Sequence, residues 1–286
     1  MIVTRSADRL PEGMTLSSSR GGSMKTVAVV SQKRGVGKTT AAIQIGFAAH
    51  RAGLVTAIID LDPQGTAAKW GARRDGDGPC VVGGPASRLG VILETARATG
   101  ADLAIIDTPP VAEETALQAA KIADFILIPT RPGGFDVEAI QTTLGMVEYL
   151  GRPGAVLVNS VPTNRQHVAF TTLERLGKRG FAVAPVLWME RAAFADLGAD
   201  DLPTQERDAE CKASQEVEGL FNWLCEQLGL TPRLRASESS GPKFSRMTQA
   251  VLKVQLAALT LFNHEGDRAA EMSVGFRQFD REHRPS

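Results

Sequence analysis

The sequence predicts a doubly wound α/β domain, a mostly parallel sheet with helices on both faces. Three observations predict it. Short apolar runs rich in β-branched residues, such as 26–31 (TVAVVS) and 103–107 (LAIID), have strand length and no polar alternation, the pattern of strands buried on both faces. Stretches of helical length and periodicity separate these runs, so each strand is followed by a crossover rather than a hairpin. The 286 residues, 43% hydrophobic and 22% charged, have an ordinary globular composition and suffice to bury a core without disulfide or metal staples.

Taken in order, residues 26–31 form the first strand, 32–37 a Gly-containing loop, and 38–51 a helix carrying Ile43, Ile45 and Phe47. Residues 54–60 make a second buried strand ending in a carboxylate. A short helix follows at 66–72, a polar Gly-rich loop at 73–79 and a short strand at 80–82. Helices at 86–99 and 112–122 alternate with strands at 103–107 and 125–129. One long helix is predicted over 135–150, then a strand at 155–159, a helix at 165–179, a last strand at 181–187 and a terminal helix at 208–228. The domain therefore spans 24–230. Residues 1–23 are Ser/Gly/Arg-rich without the apolar centre of a signal peptide, and read as a disordered leader or as the product of a start upstream of Met24.

Residues 231–243 have linker composition, and 244–286 read as a helical extension. In it, Met247, Val251, Val254, Ala258 and Leu261 share one helical stripe, widened by Leu252, Leu256 and Leu259. That face must be covered, by the core, a partner or a second copy. Lys243, Arg246 and Lys253 are too few cations for a membrane-surface helix, which disfavours a membrane partner. Nowhere does the chain approach the ~18–20 uncharged apolar residues of a membrane span.

Lys+Arg and Asp+Glu both number 32, which excludes a strongly basic nucleic-acid coat protein but permits a local basic face. The three cysteines, Cys80, Cys211 and Cys225, form neither a CxxC pair nor a zinc pattern and read as reduced thiols of a soluble intracellular protein.

The segment Gln32-Lys33-Arg34-Gly35-Val36-Gly37-Lys38-Thr39-Thr40 follows a buried strand and opens a helix. A phosphate loop needs that context: successive N–H groups and the helix N-terminus point at the anion, Lys38 neutralises β/γ oxygens, and Thr39 offers a hydroxyl to Mg²⁺. A plain Gly-rich strand-to-helix turn has the same look. The general pattern GxxxxGK[ST] wants Gly where this chain has Gln32. A different pattern fits better: the segment resembles the loop KGGxGK[ST] of the ParA/MinD group of P-loop ATPases, with Lys33 at the signature lysine and Gly35, Gly37 and Lys38-Thr39 in place. Arg34 replaces a glycine of that pattern, and a positive φ there would strain it.

Residues 58–65 (IIDLDPQG) resemble the family's switch segment, and 103–110 (LAIIDTPP) its Walker B strand. Carboxylates at the carboxyl ends of parallel strands face one crevice. A lone Asp after a strand also serves as a turn or helix cap; here three motifs occur in the family's order. Residues 156–160 (VLVNS) end in Asn159, which fits either the family's adenine contact or an Asx-turn. Residues 185–216, with an R-x-x-F stretch at Arg191–Phe194, resemble the ending of plasmid-partition ParA proteins. The resemblance covers 24–230.

It implies a P-loop NTPase-type fold that binds ATP and Mg²⁺ and joins two subunits as a homodimer. Arg34, Gly35, Val36, Gly37, Lys38, Thr39, Thr40 and Asn159 would bind the nucleotide. Lys33 would reach the partner's phosphates, offsetting the repulsion of two facing anions. Thr39 would ligate the metal, Asp107 support it through water, and Asp60 stand behind them; Asp62 would position the attacking water. The resemblance further implies an ATPase slow without a partner, nonspecific DNA binding, a centromere-binding ParB-like adaptor and a cytoplasmic, nucleoid-associated location. Arg165, Arg175, Lys178, Arg179 and Arg191 are candidate DNA contacts, although each reads more readily as a solvated surface charge. A positioning ATPase for a protein cargo, a MinD-like membrane-associated regulator and a non-hydrolysing scaffold remain as alternatives.

Overall fold

The structure, a computed structural model, describes residues 23–74 and 78–232. The leader before residue 23, the linker beyond residue 232 and the helical extension expected at 244–286 lie outside the described residues. Six strands, β1 Lys25–Val29, β2 Thr56–Asp60, β3 Cys80–Gly83, β4 Leu103–Asp107, β5 Phe125–Thr130 and β6 Gly154–Val158, form one sheet in the order β3-β2-β4-β1-β5-β6. Every pairing among them is parallel. β2, β4 and β5 are buried along their whole length, as strands covered on both faces must be.

Side-chain alternation divides the core in two. Ala28, Ile59, Ile106 and Ile128 point to one face, with Ile92, Ile140 and Leu176 from helices; Val29, Ile58, Ile105 and Leu127 point to the other, with Ile45, Trp70, Phe221 and Leu224. The second face is covered by α1 Lys38–Arg51, α2 Thr66–Arg73 and α11 Lys212–Leu228. The first is covered by α3 Leu89–Ala98, α4 Glu113–Ile122, α5 Gly134–Ala139, α6 Gln141–Leu150 and α7 Gln166–Lys178. Close approach explains the many small residues of α1: a Cβ on Gly46 would come within 2.6 Å of the Ile58 side chain.

Four elements differ from the sequence expectation. The run 181–187 is not a strand; it touches β6 only through the isolated bridge Val156–Val183, while Met189 bridges Val161. Pro185 supplies no N–H, so a continuous ladder fails there. The helix expected over 135–150 is split at Ile140, which turns at φ −92°, ψ 0° with its side chain fully buried. The helix expected at 86–99 starts as a 3-10 turn, Ala86–Arg88. The terminal helix begins at Lys212, four residues late, capped by Cys211, whose sulfur accepts the Ser214 N–H at 3.4 Å.

Three short turns, α8 Ala192–Ala195, α9 Leu197–Asp200 and α10 Thr204–Arg207, form a strap over α1 and α2. Gln44 Oε1 accepts both the N–H and the hydroxyl of Thr204 at 3.1 Å, and Trp70 Nε1 donates to the Asp201 carbonyl at 2.9 Å. Arg73 forks onto the Asp201 carboxylate at 2.6 and 2.7 Å. Arg74 stacks on Phe47 and Trp70 and pairs with Glu206 at 2.5 Å.

Candidate functional site

Because the sheet is parallel, the loops after β1, β2, β4, β5 and β6 open at one edge, with the β1 loop central. That loop turns through Gly35 at φ 68° and Gly37 at φ 89°, left-handed positions that glycine adopts without steric cost. Arg34 is not among the positive-φ residues, so arginine stands in place of the family's glycine without that strain. Gly37 is also the N-cap of α1 and offers no side-chain cap, which leaves the first-turn N–H groups directed at the crevice. A Cβ on Gly37 would lie 2.2 Å from Asn159 Nδ2.

Lys38 is buried, and its Nζ donates to the Lys33 carbonyl at 3.1 Å. Burial pushes its pKa below the usual lysine value; Asp107 and Asp62 counter that, and Arg34 adds to it. Lys33 points elsewhere: its half-buried ammonium pairs with Asp136 on α5.

Asp107 ends β4 fully buried, and burial raises its carboxyl to about 7. Thr39 faces it and pulls the value back, while Asp60 pushes it up. Neither oxygen of Asp107 has a properly formed hydrogen bond among the described residues. Two orphaned carboxylate oxygens beside a threonine hydroxyl and a buried lysine fit a hydrated cation accompanying a polyphosphate.

Asp60 pairs in register with Asp107 but is employed locally. Its oxygens accept the N–H groups of Asp62 and Ala68, both at 3.0 Å, which shapes the switch loop and starts α2; burial nevertheless raises its pKa. Asp62 is half-buried and accepts the Gln64 N–H at 2.9 Å. After β4, Thr108 donates to the Val29 carbonyl at 2.9 Å, and the Val111 N–H to the Gln32 carbonyl at 3.2 Å. Val111 holds φ 62°, a strained conformation for a β-branched residue, with its side chain exposed.

The structure thus gathers Lys33, Arg34, Gly35, Val36, Gly37, Lys38, Thr39 and Thr40 into one loop and helix start, and brings Asp107 and Asp62 close enough to act on Lys38. Asn159 joins them as a brace: its amide donates to the Val36 carbonyl at 2.9 Å and its oxygen accepts the Ser160 N–H at 2.7 Å. The bond to Ser160 reaches only the next residue, one short of an Asx-turn, and the amide N–H is engaged by the loop's own carbonyl. Arg191 is corrected as a candidate DNA contact, because it forks onto Glu216 at 2.9 and 2.5 Å and serves the fold. Arg165, Arg175, Lys178 and Arg179 remain exposed at the two ends of α7. Sequence reasoning missed Asp136, which holds Lys33, and did not single out Arg131, whose Nη2 stands 3.9 Å from the position of a Cβ on Gly35; the only signal was their position after a strand that neighbours β1.

Residues 27–196 match the family described as the CobQ/CobB/MinD/ParA nucleotide binding domain. The maintenance of carboxysome distribution protein A of Gloeobacter kilaueensis is 33% identical over 161 residues, covering 54% of this chain and 72% of that protein. The chromosome-partitioning ATPase Soj of Thermus thermophilus is 28% identical over 154 residues, covering 44% of this chain and 62% of its own length. Among solved structures, the septum site-determining protein MinD of Pyrococcus horikoshii, complexed with Mg-ADP, superposes with a TM-score of 0.60 at 14% identity over 70% of this chain and 96% of its own. No described helix is long and apolar enough to cross a membrane. With the loop, the two aspartate-ending strands and the parallel sheet all in place, the chain belongs to the CobQ/CobB/MinD/ParA nucleotide-binding family, as a ParA/MinD-type P-loop ATPase.

Proposed function

We propose that the protein is a ParA-like DNA-partition ATPase: it binds ATP with Mg²⁺, dimerises face to face around the two nucleotides, holds nonspecific DNA in that state and releases it on hydrolysis. The observation that supports this best is the division of labour between two lysines. Lys38 is buried in its own loop, whereas Lys33 leans outward onto Asp136 at the loop's rim. A second loop lysine turned away from its own pocket suits a partner's phosphates, where it would offset the repulsion between facing anions. Val111 and Phe135, 67% and 85% exposed, follow the strands on either side of β1 and give the same rim an apolar surface for a second copy.

In this reading the loop N–H groups and Lys38 hold the triphosphate, and Thr39 and Asp107 hold the metal. The metal supplies charge neutralisation at the transferring phosphoryl group. Asp62, the half-buried acid of the switch segment, orients the attacking water, and Asp60 keeps that segment in shape. Arg165, Arg175, Lys178 and Arg179 provide exposed cations for DNA phosphates, an interaction that weakens steeply with salt. A ParB-like adaptor would stimulate turnover, and the nucleoid would be the place of action.

The test is ATP turnover with and without nonspecific DNA across a salt series, run beside sedimentation of the wild type and Lys33→Ala. The expected result is an ATP-dependent dimer that binds DNA at low salt, both lost in Lys33→Ala. A variant that dimerises and binds DNA normally would overturn the sandwich. A second reading, a positioning ATPase for a protein cargo, is favoured by the 33% identity to a protein named for carboxysome distribution. It shares the chemistry and differs in what the adaptor carries.

A further inference from the structure

Arg131 is employed neither by the motifs nor by the family pattern. It is the first residue after β5, the strand that pairs with β1, so it emerges at the same edge as the phosphate loop. Its exposed guanidinium reaches back over that loop: Nη2 stands 3.9 Å from the position of a Cβ on Gly35. Its backbone is firmly placed, since Thr130 is fully buried, the Thr130 carbonyl accepts the Asn159 N–H at 2.7 Å and the Thr130 hydroxyl donates to the Arg131 carbonyl at 3.4 Å.

Among the described residues Arg131 makes no ion pair. The acid on the adjoining turn, Asp136, is already taken by Lys33. Arg131 therefore adds positive charge to a loop that already carries Lys33, Arg34 and Lys38, and its five N–H donors have no carboxylate to fork onto. Like charges gathered over a loop of inward N–H groups are tolerable where a polyanion sits among them.

We infer that Arg131 is a further nucleotide-binding residue, reaching over the Gly35 side of the loop to the polyphosphate bound by its own subunit. The inference rests on nucleotide binding at the loop and not on dimerisation or DNA.

Calorimetry with Mg-ADP and, separately, with magnesium tripolyphosphate tests it, using the wild type, Arg131→Ala, Arg131→Gln and Arg131→Lys. The wild-type affinity for Mg-ADP tests the nucleotide reading itself; the ratio of variant to wild type tests Arg131. Loss of a charge-assisted contact to phosphate should weaken both probes about tenfold in Arg131→Ala and Arg131→Gln, with part of the loss recovered in Arg131→Lys, which keeps the charge without the fork. Unchanged affinity for both probes would overturn the inference. So would weaker Mg-ADP binding with tripolyphosphate unaffected, which would move the contact to the base or ribose. Unchanged Mg-ADP affinity with a loss confined to the ATP-dependent dimer would overturn it too, by moving the contact across to the other subunit.

Discussion

With a pKa of about 7, Asp107 keeps its proton in the folded chain over a range where the unfolded chain, at the ordinary 3.8, has already lost it. Below both values the two states bind the proton alike and the group is neutral to stability. As pH rises from about 4 to 7 the folded state must either hold the proton or bury a charge, so stability falls, levelling off above the folded value. Without nucleotide, Asp107→Asn should therefore match the wild type near pH 4 and exceed it at pH 8. The shift sets an upper bound of about 4 kcal/mol, read by urea denaturation at the two pH values. The same variant should lose Mg²⁺-dependent turnover. A pH-independent difference would show that burial of the charge is not its cause. At this scale the sequence was legible where chemistry needs a residue type in a fixed spacing, as for Lys38, Thr39 and Asp107. It was silent on Asp136 and Arg131, because their approach to the loop depends on β5 lying beside β1, 98 residues downstream in register. Asn159 was visible as a polar strand end, but its bond to Val36 depends on how the loop turns.

Strands were the most legible elements, since residues buried on both faces leave an uninterrupted apolar run. The same rule misled at 181–187, an apolar run of which only Ala184 is buried and whose bridge to β6 stops at Pro185. The break at Ile140 was hidden for a related reason: a buried isoleucine satisfies helical periodicity whether or not the backbone continues. The strap was invisible, being four-residue turns held by distant polar contacts. Its role is to fix α2, the helix that begins where the switch segment ends. Arg74 makes several of these anchoring contacts, through two rings, the Asp201 carbonyl at 2.8 Å and Glu206. Arg74→Ala should cost about 2 kcal/mol of stability by loss of stacking and pairing, measured by urea denaturation. A change below about 0.5 kcal/mol, the range of ordinary surface substitutions, would mean that the strap stays docked without it.

Across the whole molecule, one sheet edge collects the loop, the two acid-ended strands, the Arg131 turn and the Asn159 turn, while the exposed cations stand along α7 at the outer flank beyond β6. Asn159 is the link between these regions. In hydrogen exchange, nucleotide should slow the amides of the loop and also those of Val161 and Glu190, which lie past Asn159 and bond to Trp188 and Val161. In Asn159→Ala the first protection should persist and the second vanish; protection of Val161 and Glu190 in both proteins would place the connection elsewhere. The crowding of Gly37 against the Asn159 amide, too tight for even one methyl group, gives this link its stiffness. Like meshed gear teeth, the two parts have no slack between them, and the exchange experiment reads whether a phosphate leaving one side registers at the threshold of α7 on the other.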